Sequence, residues 1–141
     1  MNKIIIGNLE ACDLPDLGIK DLQVRIDTGA KTSALHVDNL KRIKVGGRPY
    51  VAFDLHPDVY DLEQIVHCKA PVRDSRRIKS SNGEVEQRCV IATTLKLGEH
   101  EWPIELTLSN RQDMTYLMLL GREAMGDRVL VDPSQSFLIN G

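Results

Sequence analysis

The feature that most constrains this chain is a rhythm of short β-type runs broken by turn residues, with no long stretch of apolar residues recurring every three or four positions. "KRIKV" and "RPYVAFDL" flank Gly46-Gly47, a pair that accepts the positive φ angles of a two-residue hairpin turn. Asn82-Gly83 marks a second tight turn between "RRIKSS" and "EVEQRCVIATTLKL", and Gly98-Glu99-His100 a third, leading into "EWPIELTL". In "LQVRID", Leu22, Val24 and Ile26 alternate with Gln23 and Arg25, which predicts a strand with one buried face. The one helix expected is short, from Arg122 to about Gly126, with "RVLVDP" and "SFLI" as closing strands. Residues 55–72 are the least regular part and are expected to form a long loop. Many short strands and one helical turn or two indicate an all-β barrel or sandwich, and 141 residues with 42% apolar content suit one domain over 1–141.

Charge and cysteine usage remove several function classes. A formal charge of −2 gives no whole-molecule attraction to nucleic acid or to an anionic membrane, so neither is expected as a partner. The N-terminal isoleucines give way to polar residues by Asn8, too soon for a signal peptide or a spanning helix, and a cytoplasmic protein is expected. Cys12, Cys68 and Cys89 are too scattered for a disulfide framework or a cysteine zinc site and read as buried thiols. The four histidines include no H-E-x-x-H and no i, i+4 pair, and there is no G-x-x-x-x-G-K-[ST] loop, so neither metal nor cofactor is expected.

One short stretch carries chemistry. In "QVRIDTGAKTSAL", a strand ends in Asp27-Thr28-Gly29, which sets a carboxylate at a tight turn where backbone N–H groups can reach its oxygens. Ala30 and the Ser33 hydroxyl follow, and "LMLLGREAM" comes about ninety residues later. "VRIDTGAKTSAL" resembles the strand–D-T-G-A–x–x–[Ser/Thr] signature of retropepsin-like aspartic proteases, and "LMLLGREAM" resembles their second landmark, an apolar run, Gly-Arg and a short helix. The Asn82-Gly83 hairpin lies between them, where those proteases keep a flap. More narrowly, the whole chain is similar to the bacterial family labelled ATP-dependent zinc proteases, which accompanies RimK-type ATP-grasp glutamate ligases.

The resemblance implies a closed acid-protease-like barrel and a chemistry needing two carboxylates that share one proton. This chain has one D-T-G, since in "VDPS" Pro133 replaces the hydroxyl and Ser134 the glycine. The second Asp27 is therefore expected from another copy in a C₂ homodimer. The implied catalytic set is Asp27, Thr28 and Gly29, with Thr28 linking the two loops, Gly29 meeting substrate backbone and Gly121 passing under the loop. The implied substrate-binding set is Ala30, Lys31, Arg76, Arg77, Lys79 and Arg122.

Lys31 is a departure from the pattern. Retropepsins commonly carry an acid there, paired with the arginine of Gly-Arg, so here Lys31 and Arg122 require another negative charge, from Glu123 or from an anionic ligand. Residues 69–88 form the one basic segment, with six basic and three acidic side chains. Together these features predict an aspartic peptidase acting on acidic chains, poly-glutamate or glutamylated protein among them, alongside a RimK-type ligase. Two other readings stay open: a binding or regulatory module for a glutamylated protein or for the ligase, and a zinc-dependent hydrolase. A solvated edge hairpin would also account for the basic segment.

Overall fold

The computed structural model describes residues 3–56, 64–79, 83–109 and 116–139. Its strands are β1 (Ile4–Ile6), β2 (Leu9–Leu14), β3 (Ile19–Ile26), β4 (Ser33–His36), β5 (Asp38–Val45), β6 (Arg48–Leu55), β7 (Val66–Lys79), β8 (Val85–Leu97), β9 (His100–Ser109), β10 (Met118–Leu120) and β11 (Val129–Val131); the helix α1 is Arg122–Met125. A sheet of nine strands runs in the order β2-β3-β10-β4-β9-β8-β7-β6-β5. A further pairing of β2 with β8, Asp13 against Lys96, closes β2, β3, β10, β4, β9 and β8 into a six-stranded barrel. β1 and β11 pair in parallel as a separate two-stranded sheet.

Period-2 patterning explains the closure. In β3, Leu22, Val24 and Ile26 face inward while Gln23 and Arg25 face water, as their alternation predicts. The same inner face continues through Leu35, Ile91, Leu95, Leu106, Leu108, Met118 and Leu120, a single apolar cluster that also takes in Cys12, Cys68 and Trp102. Gly46 and Gly47, at φ of 58° and 80°, close the β5–β6 hairpin, and Gly98 at 60° opens the two-residue turn between β8 and β9. β7 and β8 pair antiparallel out to Lys79 and Val85; residues 80–82 of the turn between them, Asn82 included, lie outside the described residues, and Gly83 takes a φ of 86°. The three cysteines are buried and free. Among the described residues no helix is long and apolar enough to cross a membrane.

Two expectations change. Residues 55–72 are not one long loop: Leu55 ends β6, Val66–Val72 begins β7, and the part spanning 57–63 lies outside the described residues. Cys68 and Ala70 turn into the core while His67, Lys69 and Pro71 point out, an alternation that prolines and charges hide in the sequence. "SFLI" is not a strand. The N–H groups of Leu138 and Ile139 donate to the carboxylate of Glu10, at 2.9 and 3.2 Å, so a side chain takes the bonds a neighbouring strand would take.

Candidate active site

Asp27 follows directly on β3, and its turn is held from both sides. The Asp27 N–H donates to the carbonyl of Leu120 in β10 at 3.0 Å, and the Ala30 N–H returns to the Asp27 carbonyl at 3.2 Å. The Gly29 N–H donates to Asp27 Oδ1 at 2.9 Å, which orients the carboxylate. A Cβ on Gly29 would stand 3.2 Å from that oxygen, a tight contact that would press on the carboxylate.

The Gly-Arg landmark forms the floor of the loop. A Cβ on Gly121 would meet the carbonyl oxygen of Thr32 at 2.6 Å and that of Ala30 at 3.0 Å, contact too close for any side chain. The buried Ser33 hydroxyl accepts the Gly121 N–H at 2.9 Å, and the Thr107 hydroxyl donates to the Ser33 carbonyl at 2.9 Å. The first N–H groups of α1, which have no partner inside the helix, donate to the loop: Arg122 to the Ala30 carbonyl at 2.8 Å and Glu123 to the Lys31 carbonyl at 3.1 Å. Arg122 Nη1 donates to the Thr28 carbonyl at 3.1 Å. The Gly-Arg arginine thus latches the loop through backbone, and Lys31 finds its acid in Glu123, 3.7 Å away on the surface.

Of the nine residues singled out from the sequence, Asp27, Gly29, Ala30, Lys31, Arg76, Arg77 and Lys79 line one cavity of about 1010 Å³, together with Arg88 and Glu123. Thr28 and Arg122 are not among its lining residues. The β7–β8 ribbon supplies Arg76, Arg77, Lys79 and Arg88, so residues 49 to 61 positions from Asp27 share its cavity.

These cations are not equivalent. Arg76 Nε donates to Asp74 Oδ2 and Arg76 Nη2 to Glu105 Oε1, each at 2.9 Å, and Arg73 Nε reaches the other Glu105 oxygen at 3.2 Å. The hydrogen bonds that Arg76 donates to Asp74 and Glu105 raise the Arg76 pKa above its ordinary value, and the bond from Arg76, with the Ser75 N–H, lowers that of Asp74. Among the described residues Arg77 and Lys79 make no ion pair. Glu105 had no signal in the sequence, because it meets Arg76 and Arg73 from a strand about thirty residues away; Asp74 meets Arg76 from two residues along the same strand.

Among the described residues no group of three or more His, Cys, Asp or Glu side chains is placed to hold a metal ion. His36 and His56 both approach Asp38, at 3.8 and 3.4 Å, and His67 bonds Asp54 at 2.6 Å. None of these residues lines the Asp27 cavity.

Comparison with known proteins adds three findings. A family model described as "RimB-like: Retropepsin-like aspartic endopeptidase RimB" matches residues 5–140. A "Probable alpha-L-glutamate ligase" of Shewanella halifaxensis (strain HAW-EB4) is 51% identical over 138 residues, 98% of this chain and 30% of the relative. One from Desulfotalea psychrophila (strain LSv54 / DSM 12343) is 49% identical over 132 residues, 94% of this chain and 28% of the relative. The chain therefore spans only about 30% of the length of these relatives. The crystal structure of a Legionella pneumophila protein of unknown function matches with a TM-score of 0.83 at 29% identity, covering 98% of this chain and 99% of that one. With the family match running along almost the whole barrel and through both landmarks, the chain belongs to the RimB-like family of retropepsin-like aspartic endopeptidases.

Proposed function

We propose that this chain is an aspartic-type peptidase that works as a homodimer on acidic peptide chains, poly-glutamate or glutamylated protein tails among them. The observation that carries the reading is the shared cavity, whose lining joins an Asp27 held by the Gly29 N–H with Lys31, Arg77, Lys79 and Arg88. In the dimer, two Asp27 side chains meet across the axis and share one proton, because like charges that close cannot both ionise. One carboxylate takes a proton from water as the water attacks the scissile carbonyl carbon; the other donates a hydrogen bond to the carbonyl oxygen. The surrounding cations raise the local concentration of an anionic chain and favour its association over that of neutral peptides. The relatives named glutamate ligases support a working partnership with a RimK-type enzyme, which adds the residues that this one removes.

The decisive experiment incubates wild type and Asp27→Asn with a poly-glutamate chain, with and without a chelator. Cleavage by wild type in both conditions and by the variant in neither is the expected result; loss with chelator would replace the dyad by a metal mechanism. Mixing wild-type and Asp27→Asn subunits should lower activity below the wild-type fraction, since mixed dimers hold half a dyad. A second reading has its own support: the relatives carry this region as about 30% of a longer polypeptide named for a ligase, which suits a module that holds glutamylated protein for that ligase. Tight binding without cleavage, equal in wild type and Asp27→Asn, would select it.

A further inference from the structure

We infer that Arg88 is the specificity-determining residue of the cleft, reading one carboxylate of the chain being cut through a two-bond guanidinium fork. The inference rests on the acidic-peptide reading above and assigns it to one side chain.

Burial comes first. The Arg88 side chain is only 6% exposed, although β8 is exposed up to Gln87 and enters the core at Cys89. A guanidinium out of water needs strong compensation. Here Nε and Nη2 both point at a single oxygen, Glu86 Oε2, and both at 3.3 Å. A carboxylate that matched the fork would offer two oxygens at about 2.7–2.9 Å. Glu86 is itself half exposed and sits two residues along the same strand, so it meets the fork end-on and leaves it half used.

The position across the ribbon sharpens this. Arg88 stands directly opposite Arg76 in the β7–β8 register, and like charges facing each other across strands are destabilising. Arg76 is relieved by Asp74 and Glu105, while among the described residues Arg88 has the two long contacts to Glu86. Both line the cavity that holds Asp27. Replacing a weak buried ion pair with apolar groups is often neutral or stabilising, so this arrangement is poorly explained as a device for stability. A carboxylate arriving in the cavity would satisfy the fork and screen the two guanidiniums from each other. Arg77 and Lys79 are exposed by comparison and supply attraction without a fixed geometry.

The test uses oligo-glutamate peptides in which each Glu in turn is replaced by Gln, plus a peptide with an amidated C-terminus. Wild type should lose about 10-fold or more in kcat/KM for one substitution in the series, or for the amide, which tells a side-chain carboxylate from the terminal one. Arg88→Lys keeps the charge but not the fork, and should shrink that preference to about threefold or less while cutting the parent peptide more slowly. A structural role would lower all peptides alike; an unchanged preference in Arg88→Lys would overturn the inference. Should wild type cut no acidic chain, the functional reading fails, and calorimetry decides Arg88 separately: Asp27→Asn must bind the parent peptide at least about 10-fold tighter than Asp27→Asn/Arg88→Lys. Equal binding, or none by either, overturns it. Thermal unfolding of each variant identifies any that fail to fold, and Arg88→Met stands in for such a variant.

Discussion

Glu10 and Arg88 are the two charged side chains that the fold buries among the described residues, and their surroundings differ sharply. The Glu10 carboxylate accepts three backbone N–H groups, from Gly7 at 2.8 Å, Leu138 at 2.9 Å and Ile139 at 3.2 Å. It ties the turn between β1 and β2 to the C-terminal segment. Arg88 borders an open cleft and, among the described residues, its side chain makes two long contacts to one oxygen. A buried charge with every partner present holds structure together. One with long contacts to a single oxygen, lining the same cavity as Asp27, is placed to receive something.

If that contrast is right, the two sites respond differently to mutation. The largest effect is expected at Glu10: Glu10→Ala leaves three backbone donors unpaired and should cost about 3–5 kcal/mol in denaturant unfolding, in the range for breaking a buried charged network. Ser33→Ala comes next. It removes the acceptor of the buried Gly121 N–H and should cost about 1–3 kcal/mol, with loss of activity because that bond sets the floor under Asp27. Arg88→Met should change stability by no more than about 1 kcal/mol in either direction, since an apolar side chain can replace a weak buried pair. A cost there equal to that of Glu10→Ala would erase the contrast.

The smallest effect concerns a surface site that neither buried charge touches. Hydrogen bonds from Asn39 and His67 lower the pKa of Asp54 below its ordinary value. A lowered carboxyl pKa contributes stability above the unfolded-state pKa, and that contribution is lost as pH falls through the lowered value. Asp54→Asn should therefore lower stability slightly at neutral pH, where the contribution is fully present, and flatten the acid limb below about pH 4, so that its difference from wild type fades as pH falls. Thermal melts across that range measure it.

Much of the site was legible because its signals are local. The alternation of β3, the D-T-G turn and the short helix after Gly121 all lie within a few residues of their own cause, and the structure shows each where the pattern places it. The cluster of basic residues in 69–88 was visible too, but not its division of labour. Arg76 proves to be clamped by Glu105, and Arg88 to be buried, facts that depend on the pairing of β7, β8 and β9. The strand at Val66–Val72 escaped because one face of it is charged or proline-bearing, and the expected strand at "SFLI" failed because Glu10 supplies its bonds.

The sequence by itself determined the hairpins at Gly46-Gly47 and Gly98-Glu99 and the all-β character, because positive φ at glycine and a period of two are written into neighbouring residues. Only the tertiary structure decided that β2 meets β8 to close the barrel and that one cavity gathers Asp27 with cations from the ribbon. It also decided that Glu10 finds its donors 128 and 129 residues away. The physical reason is separation along the chain: those partners are brought together by the closing of the whole sheet, which no short stretch of residues encodes.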